Sequence, residues 1–228
     1  MIEKQEIFTL LNGAIKMRTS CYNPTSDAVW LAALPCTEPE TVLDVGIGSG
    51  GVSLCLQHHF PNAKITGIDL SPAMLQACAD NMKLNNYHFD LINEDIFAWS
   101  TEQTFDLVIT NPPYFVGTPS RSTPDAHHNA DLTRWIRRSL ARVKPRGYIC
   151  VVIDAARMAE VIRIIAKSCG HVTIIPLFGT KQVAERVLVR GRLGTNGGSV
   201  VHLGYPMNYD PILRDGLTIE KILSNIRA

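Results

Sequence analysis

The stretch "TVLDVGIGSGGVSLCLQHHF", Thr41 to Phe60, restricts the possible folds of this chain more than any other. An apolar run ends at Val45, glycines follow at positions 46, 48, 50 and 51, and a helical pattern begins at once. Glycine tolerates positive φ and lets backbone approach a ligand, while the first turn of a helix leaves its N–H groups without intrahelical partners. A strand, a glycine loop and a helix N-terminus in that order begin a parallel α/β sheet with a ligand crevice at its carboxyl edge.

The alternation continues along the chain. "KITGID" (64–69) reads as a strand, and "SPAMLQACADNMKLNN" as a helix with Ser71 as N-cap and Pro72 at the first helical position. A weaker strand lies near "HFDLIN" and a stronger one at "FDLVIT" (105–110). The helix "LTRWIRRSLARVK", the strand "GYICVVI", the helix "ARMAEVIRIIAKS" and the strands "HVTIIPLF" and "ERVLVRG" complete the body. Near-continuous apolar strands between helices predict a mostly parallel, seven-stranded sheet with helices on both faces. With 228 residues, 46% of them hydrophobic, and no linker or repeat, one domain is expected. Residues 1–40 read as a lead-in with a helix from about Ser26 to Leu34, 41–192 as the core, and 193–228 as a C-terminal extension. In that extension "VVHLGYP" suggests a short strand and "TIEKILSNIR" a last helix.

No run approaches the roughly 20 apolar residues of a membrane span, and "MIEKQEIFTL" lacks the pattern of a signal peptide. Six cysteines without a Cys-x-x-Cys pair fit reduced thiols in a cytoplasmic protein and exclude a zinc motif of that kind. Adjacent histidines (His58-His59, His127-His128) diverge by about 100° on a helix, so neither pair makes a metal site and none is expected.

Gly46, Gly48 and Gly51 satisfy G-x-G-x-x-G, and Asp69 follows at the distance of a ribose-binding acid, which alone would suit a nicotinamide cofactor and an oxidoreductase. Two features point elsewhere. Asp44 stands inside the motif, giving D-x-G-x-G-x-G through Gly50, and a carboxylate there disfavours a pyrophosphate and favours a cationic ligand. The strand ending at Thr110 runs into Asn111-Pro112-Pro113-Tyr114. Two prolines remove two backbone donors and fix two φ angles, so this is a rigid turn at a strand end. Asn111 offers a side-chain oxygen, Pro112 a carbonyl, and Tyr114 a ring for a flat base or amide, with Phe115 extending that wall. Two acceptors, one per N–H, free the lone pair of an exocyclic amine for in-line displacement without a titrating base.

Together these residues resemble the class I S-adenosylmethionine-dependent methyltransferases, a Rossmann-like fold. The resemblance implies S-adenosylmethionine as cofactor. The glycine loop with Asp44, Gly46, Gly48 and Gly50 would face its methionine part, Asp69 and Leu70 its ribose, and Asp95 and Ile96 its adenine, with Asn111 beside the methyl group. Over about residues 8–205, "LDVGIGSG … GIDLSPAM … NPPYF … AHHN … LTRWIRRSLARVKPRGYICVV … ERVLVRG" is similar to the bacterial tRNA adenosine N6-methyltransferases that modify valine tRNA beside the anticodon. That implies tRNA as partner, with Arg121, His127 and His128 on its side. The chain departs from the group in having Ala126-His127-His128 where an Ala-Arg-His-like pattern is usual, and "NPTSD" where Gly-Thr-Asp is usual. Protein N5-glutamine methyltransferases acting on release factors share the Asn-Pro-Pro-Tyr turn and stand as the alternative.

Charge adds to the RNA expectation. Residues 1–133 hold 6 Lys+Arg against 15 Asp+Glu, whereas residues 134–192 hold 13 against 3. Arg134, Arg138 and Arg142 recur at i, i+4 and i+8 and are expected to form an outward basic stripe, with Lys181, Arg186, Arg190 and Arg192 adding to it.

Overall fold

The computed structural model describes residues 6–18, 25–113, 132–180 and 183–227. Tyr114, Phe115, Arg121, His127, His128 and Lys181 lie outside them.

The N-terminal part is a hairpin, β1 (Ile7–Leu10) and β2 (Ile15–Arg18), followed by α1 (Ser26–Ala32). Then come β3 (Thr41–Val45), α2 (Gly51–His59), β4 (Lys64–Asp69), α3 (Pro72–Asn85), β5 (Asp90–Asn93) and β6 (Phe105–Thr110). Further along the chain lie α4 (Leu132–Leu140), β7 (Val143–Asp154), α5 (Met158–Ile165), β8 (Cys169–Phe178) and β9 (Ala184–Leu193). The chain ends in β10 (Val200–Val201), β11 (Tyr205–Pro206), α6 (Asp210–Leu213) and α7 (Ile219–Arg227).

The main sheet has the order β10-β8-β9-β7-β6-β3-β4-β5, with β11 also on β8. Among the described residues it therefore holds nine strands rather than seven, because the C-terminal extension lays two two-residue strands parallel to β8. All neighbours are parallel except β9, which runs antiparallel to both β7 and β8.

Each strand alternates between two cores. Val42, Leu107 and Ile109 pack with α1, α2, α3, α6 and α7 on one face. Leu43, Val45 and Val108 pack with α4 and α5 on the other. Ser71 caps α3 by accepting from the Met74 N–H, and Pro72 opens it, as the sequence indicates.

Two local expectations are corrected. Helix α4 stops at Leu140 rather than near Lys144, and β7 starts at Val143, not Gly147. The Phe105 N–H already donates to the Arg142 carbonyl, so sheet pairing claims the chain there. A register shift between Phe105 and Leu107 absorbs the extra residues around Arg146, which has φ +66°. The lead-in also contains an unforeseen hairpin. Its β2 backbone is held by α3: Asn81 Oδ1 accepts from Arg18 N–H, and Asn85 both accepts from Lys16 N–H and donates to the Lys16 carbonyl.

Candidate active site

Strand order reverses beside β3, with β4 and β5 to one side and β6 and β7 to the other. A crevice outside the carboxyl ends of the strands opens at such a point. Val45 pairs with Ile68 and with Thr110, so the next residues on the three strands, Gly46, Asp69 and Asn111, stand side by side at that edge.

The glycine loop is shaped by its neighbours. The Gly46 and Ile47 N–H groups donate to the Ile68 carbonyl at 2.8 and 3.1 Å. Gly46 has φ +77°, which favours glycine, and a Cβ there would press on Trp135 Cζ2 at 3.1 Å. Gly48 differs: at φ +54° its absent side chain would project into open space, on the side where a ligand could meet bare backbone. Asn81, 1% exposed, donates from Nδ2 to the Ser49 carbonyl and ties the loop to α3.

Asp44 occupies a core position beneath this loop and is 1% exposed. Ser53 Oγ on α2 donates to its Oδ2 at 2.7 Å. Burial pushes its pKa from 3.8 up to about 7, the Ser53 bond opposes the rise, and nearby Asp69 adds to it. Such a carboxylate calls for a cation. Asp69 holds the loop as well as facing the crevice: Oδ2 accepts from Gly48 N–H at 2.8 Å and Oδ1 from Ser71 N–H at 2.9 Å. Each oxygen keeps lone-pair capacity for a hydroxyl donor. Leu70 beside it is 60% exposed, an apolar wall at the mouth. Asp95 caps its own turn, accepting from Phe97 N–H at 2.8 Å, and Ile96 is buried in the core on the α4 and α5 side.

Asn111 and Pro112 follow β6 directly. Asn111 is half-buried, and its Oδ1 is shielded from solvent and accepts no hydrogen bond from the described residues. Most buried polar atoms have partners, so an acceptor left without one among the described residues marks this strand end as a candidate site. The strand end is braced from below: Thr110 Oγ1 donates to the Val45 carbonyl at 2.8 Å and accepts from Trp135 Nε1 at 2.9 Å. Ser53, Asn81 and Trp135 are therefore site residues that sequence reasoning missed. Each is chosen by a contact between distant elements, and only the polar Asn81 and Ser53 in apolar helix faces hinted at it.

A cationic, ribose-bearing cofactor fits these residues. The open space at Gly48, the carboxylate of Asp44 and the free lone pairs of Asp69 are complementary to an ammonium, a sulfonium and a diol. Among the described residues no group of three or more His, Cys, Asp or Glu is disposed to hold a metal ion. None of the described helices is long and apolar enough to cross a membrane.

The expected basic stripe does not face outward as a unit. Arg138 donates to the Phe97 carbonyl and Arg142 to the Thr101 carbonyl. The Arg134 guanidinium carbon lies 4.3 Å from the Phe97 ring centroid. Arg190 donates to the Leu34 carbonyl, Arg192 to that of Arg146, and Arg186 pairs with Asp27 and Asp154. Much of the basic surplus of residues 134–192 thus binds the protein's own backbone and carboxylates.

This sheet order, with a glycine loop after its central strand and an acid ending the next, is the fold of class I S-adenosylmethionine-dependent methyltransferases. Residues 25–177 match the family described as methyltransferase small domain, and the chain belongs to it. It is 28% identical over 144 residues to a Flavobacteriaceae protein named tRNA1(Val) (adenine(37)-N6)-methyltransferase, covering 61% of this chain and 62% of that one. A Yersinia pestis protein of the same name is 30% identical over 151 residues, covering 59% and 61%. The matches thus span about three-fifths of the length of these relatives. Among solved structures, the N-methyltransferase NodS of Bradyrhizobium japonicum, bound to S-adenosyl-L-homocysteine, superposes with TM-score 0.56 at 18% identity, covering 75% of this chain and 86% of that one. A 16S rRNA N2 methyltransferase of T. thermophilus, solved with AdoMet and guanosine, gives TM-score 0.58 at 19% identity, covering 82% and 50%. At these identities the likeness concerns the fold.

Proposed function

We propose that the protein transfers a methyl group from S-adenosylmethionine to the N6 amine of an adenosine in tRNA. The observation that carries this reading is the shielded acceptor Asn111 Oδ1, unpartnered among the described residues, one residue beyond β6 and beside the glycine loop. The names of the tRNA1(Val) relatives support adenosine in valine tRNA as the substrate.

When bound, S-adenosylmethionine supplies an electrophilic methyl group on a sulfonium. The chain's own residues handle the amine. Asn111 Oδ1 accepts one amine N–H and the Pro112 carbonyl the other, drawing the nitrogen toward a pyramidal shape with its lone pair exposed. The surplus proton of the amine nitrogen would pass to water. Asp69, its carboxylate held by the Gly48 N–H, would take the ribose hydroxyls, and Asp44 would balance the positive charge. The target base must be unpaired or flipped, because a stacked and paired amine is out of reach.

Incubating the protein with labelled S-adenosylmethionine and total tRNA, and separately with a release factor, tests the reading. Label recovered as N6-methyladenosine is the expected result. Methylglutamine in the protein arm, with unlabelled tRNA, would replace adenosine by an amide as the substrate.

A further inference from the structure

We propose that Arg138 and Arg142, assisted by Arg134, are positioning residues that hold the adenine side of the cofactor site. They would not serve as phosphate contacts for a nucleic acid. The proposal rests on the cofactor reading above, and its core is a juxtaposition that the sequence hides.

Residues 95–101 follow β5 and form a turn without a strand partner. The turn is closed by the Asp95 carboxylate on Phe97 N–H and by the Asp95 carbonyl, which accepts from Ala98 and Trp99 N–H. Those local bonds set the shape of the turn, and its start is tied to Asp69 and Leu70 by Asn93 Nδ2 and Glu94 N–H, which donate to their carbonyls. Its middle and end are held from α4. Arg138 donates to the Phe97 carbonyl and Arg142 to the Thr101 carbonyl, at the middle and the end of the turn. The guanidinium of Arg134 covers the Phe97 ring at 4.3 Å, and that of Arg142 lies 5.5 Å from the Trp99 ring centroid. Trp135 meets Phe97 edge-on at 6.0 Å and, through Thr110, braces the residue before Asn111. Ile96 and Trp99 are anchored in the same core as Ile136 and Leu140. One helix therefore holds the adenine-side turn, the floor of the glycine loop and the end of the catalytic strand. Arginine suits the task because its planar fork can donate to a carbonyl while its face covers a ring.

The test uses the full chain. Arg138→Ala, Arg142→Ala, Arg138→Lys and Arg142→Lys are compared with the wild type by calorimetry for S-adenosylhomocysteine and 5′-methylthioadenosine. Their tRNA affinity is followed over a salt series, and folding is checked by thermal melting. The alanine variants are expected to bind both small ligands roughly tenfold more weakly. The loss should be equal for the two, because it falls on the adenosine half, and KM for S-adenosylmethionine should rise more than kcat falls. Lysine, which keeps a charged donor but not the planar fork, should restore part of the affinity, while tRNA affinity and its salt slope stay at wild-type values. Unchanged ligand affinity together with a salt slope reduced by about one per arginine overturns the proposal in favour of phosphate contact. A loss seen only in melting temperature, with ligand affinity intact, also overturns it. Failure of the wild type itself to bind S-adenosylhomocysteine removes the cofactor reading, and the proposal with it.

Discussion

Replacing Asp44 by asparagine tests why a carboxylate occupies a core position under the glycine loop. Burial moves its pKa from 3.8 to about 7, against the Ser53 hydrogen bond and with help from Asp69. A rise of about three units corresponds to ~4 kcal/mol between the two protonation states. The folded pKa lies above the unfolded one, so the folded state binds the proton more tightly. That stabilisation is fully present below about pH 4 and lost as pH rises through about 7. Asparagine retains an acceptor for Ser53 and carries no charge, so the variant escapes this loss. Its stability relative to the wild type should rise by up to ~4 kcal/mol between about pH 4 and pH 8, followed by urea unfolding. A bound cation reverses the preference of the wild-type site. Cofactor binding below about pH 7 should then expel a proton, with affinity rising by up to about tenfold per unit toward that point and levelling above it. Calorimetry in two buffers of different ionisation enthalpy counts the proton directly. Wild type and D44N with equal pH profiles and no proton release would refute the reasoning.

Asn111→Ala should slow methyl transfer by roughly 10²–10³-fold, the scale for losing one preorganised group that acts in the transition state. Cofactor affinity should hold, as measured by single-turnover kinetics beside calorimetry; a retained rate would dismantle the proposed role. Gly48→Ala places an L-residue at φ +54°, which costs about 1–2 kcal/mol, and its methyl group enters the open side of the loop. The melting temperature should fall by about 2–8 °C, and cofactor affinity should fall with it. His59 is half-buried with a shielded Nε2, and burial, then His58 and Lys221, bring its pKa from 6.5 to about 4. Its folded pKa lies below the unfolded one, so its contribution is intact above about pH 6.5 and is lost as pH falls through about 4, at most ~3 kcal/mol. His59→Gln should flatten that acid limb in urea unfolding, and an unchanged slope would count against it.

The parts of the fold that were legible in the sequence are those whose causes are local. The β-branched runs of β3, β4 and β6, the Ser71-Pro72 start of α3 and the glycines after Val45 each announce themselves within a few residues. The alignment of Gly46, Asp69 and Asn111 follows from strand order, which the alternating pattern implies. What stayed hidden is non-local. The β1–β2 hairpin is held by Asn81 and Asn85 from more than sixty residues away. The arginines at i, i+4 and i+8 read as a solvated stripe because nothing in their spacing reveals the carbonyls of Phe97 and Thr101 waiting opposite. The "VVHLGYP" segment does read as strand, but its division into β10 and β11, two residues each, is too short to show in any period.

Asn111 also bears on how this protein can change. A shielded acceptor with no donor among the described residues costs the folded chain about 1–3 kcal/mol, a defect standing at the residue proposed for the chemistry. Substitutions that fill or neutralise that spot should harden the protein while disarming it. A selection for thermal tolerance alone would therefore drift toward inert descendants, and only selection that also scores methyl transfer would keep the defect in place.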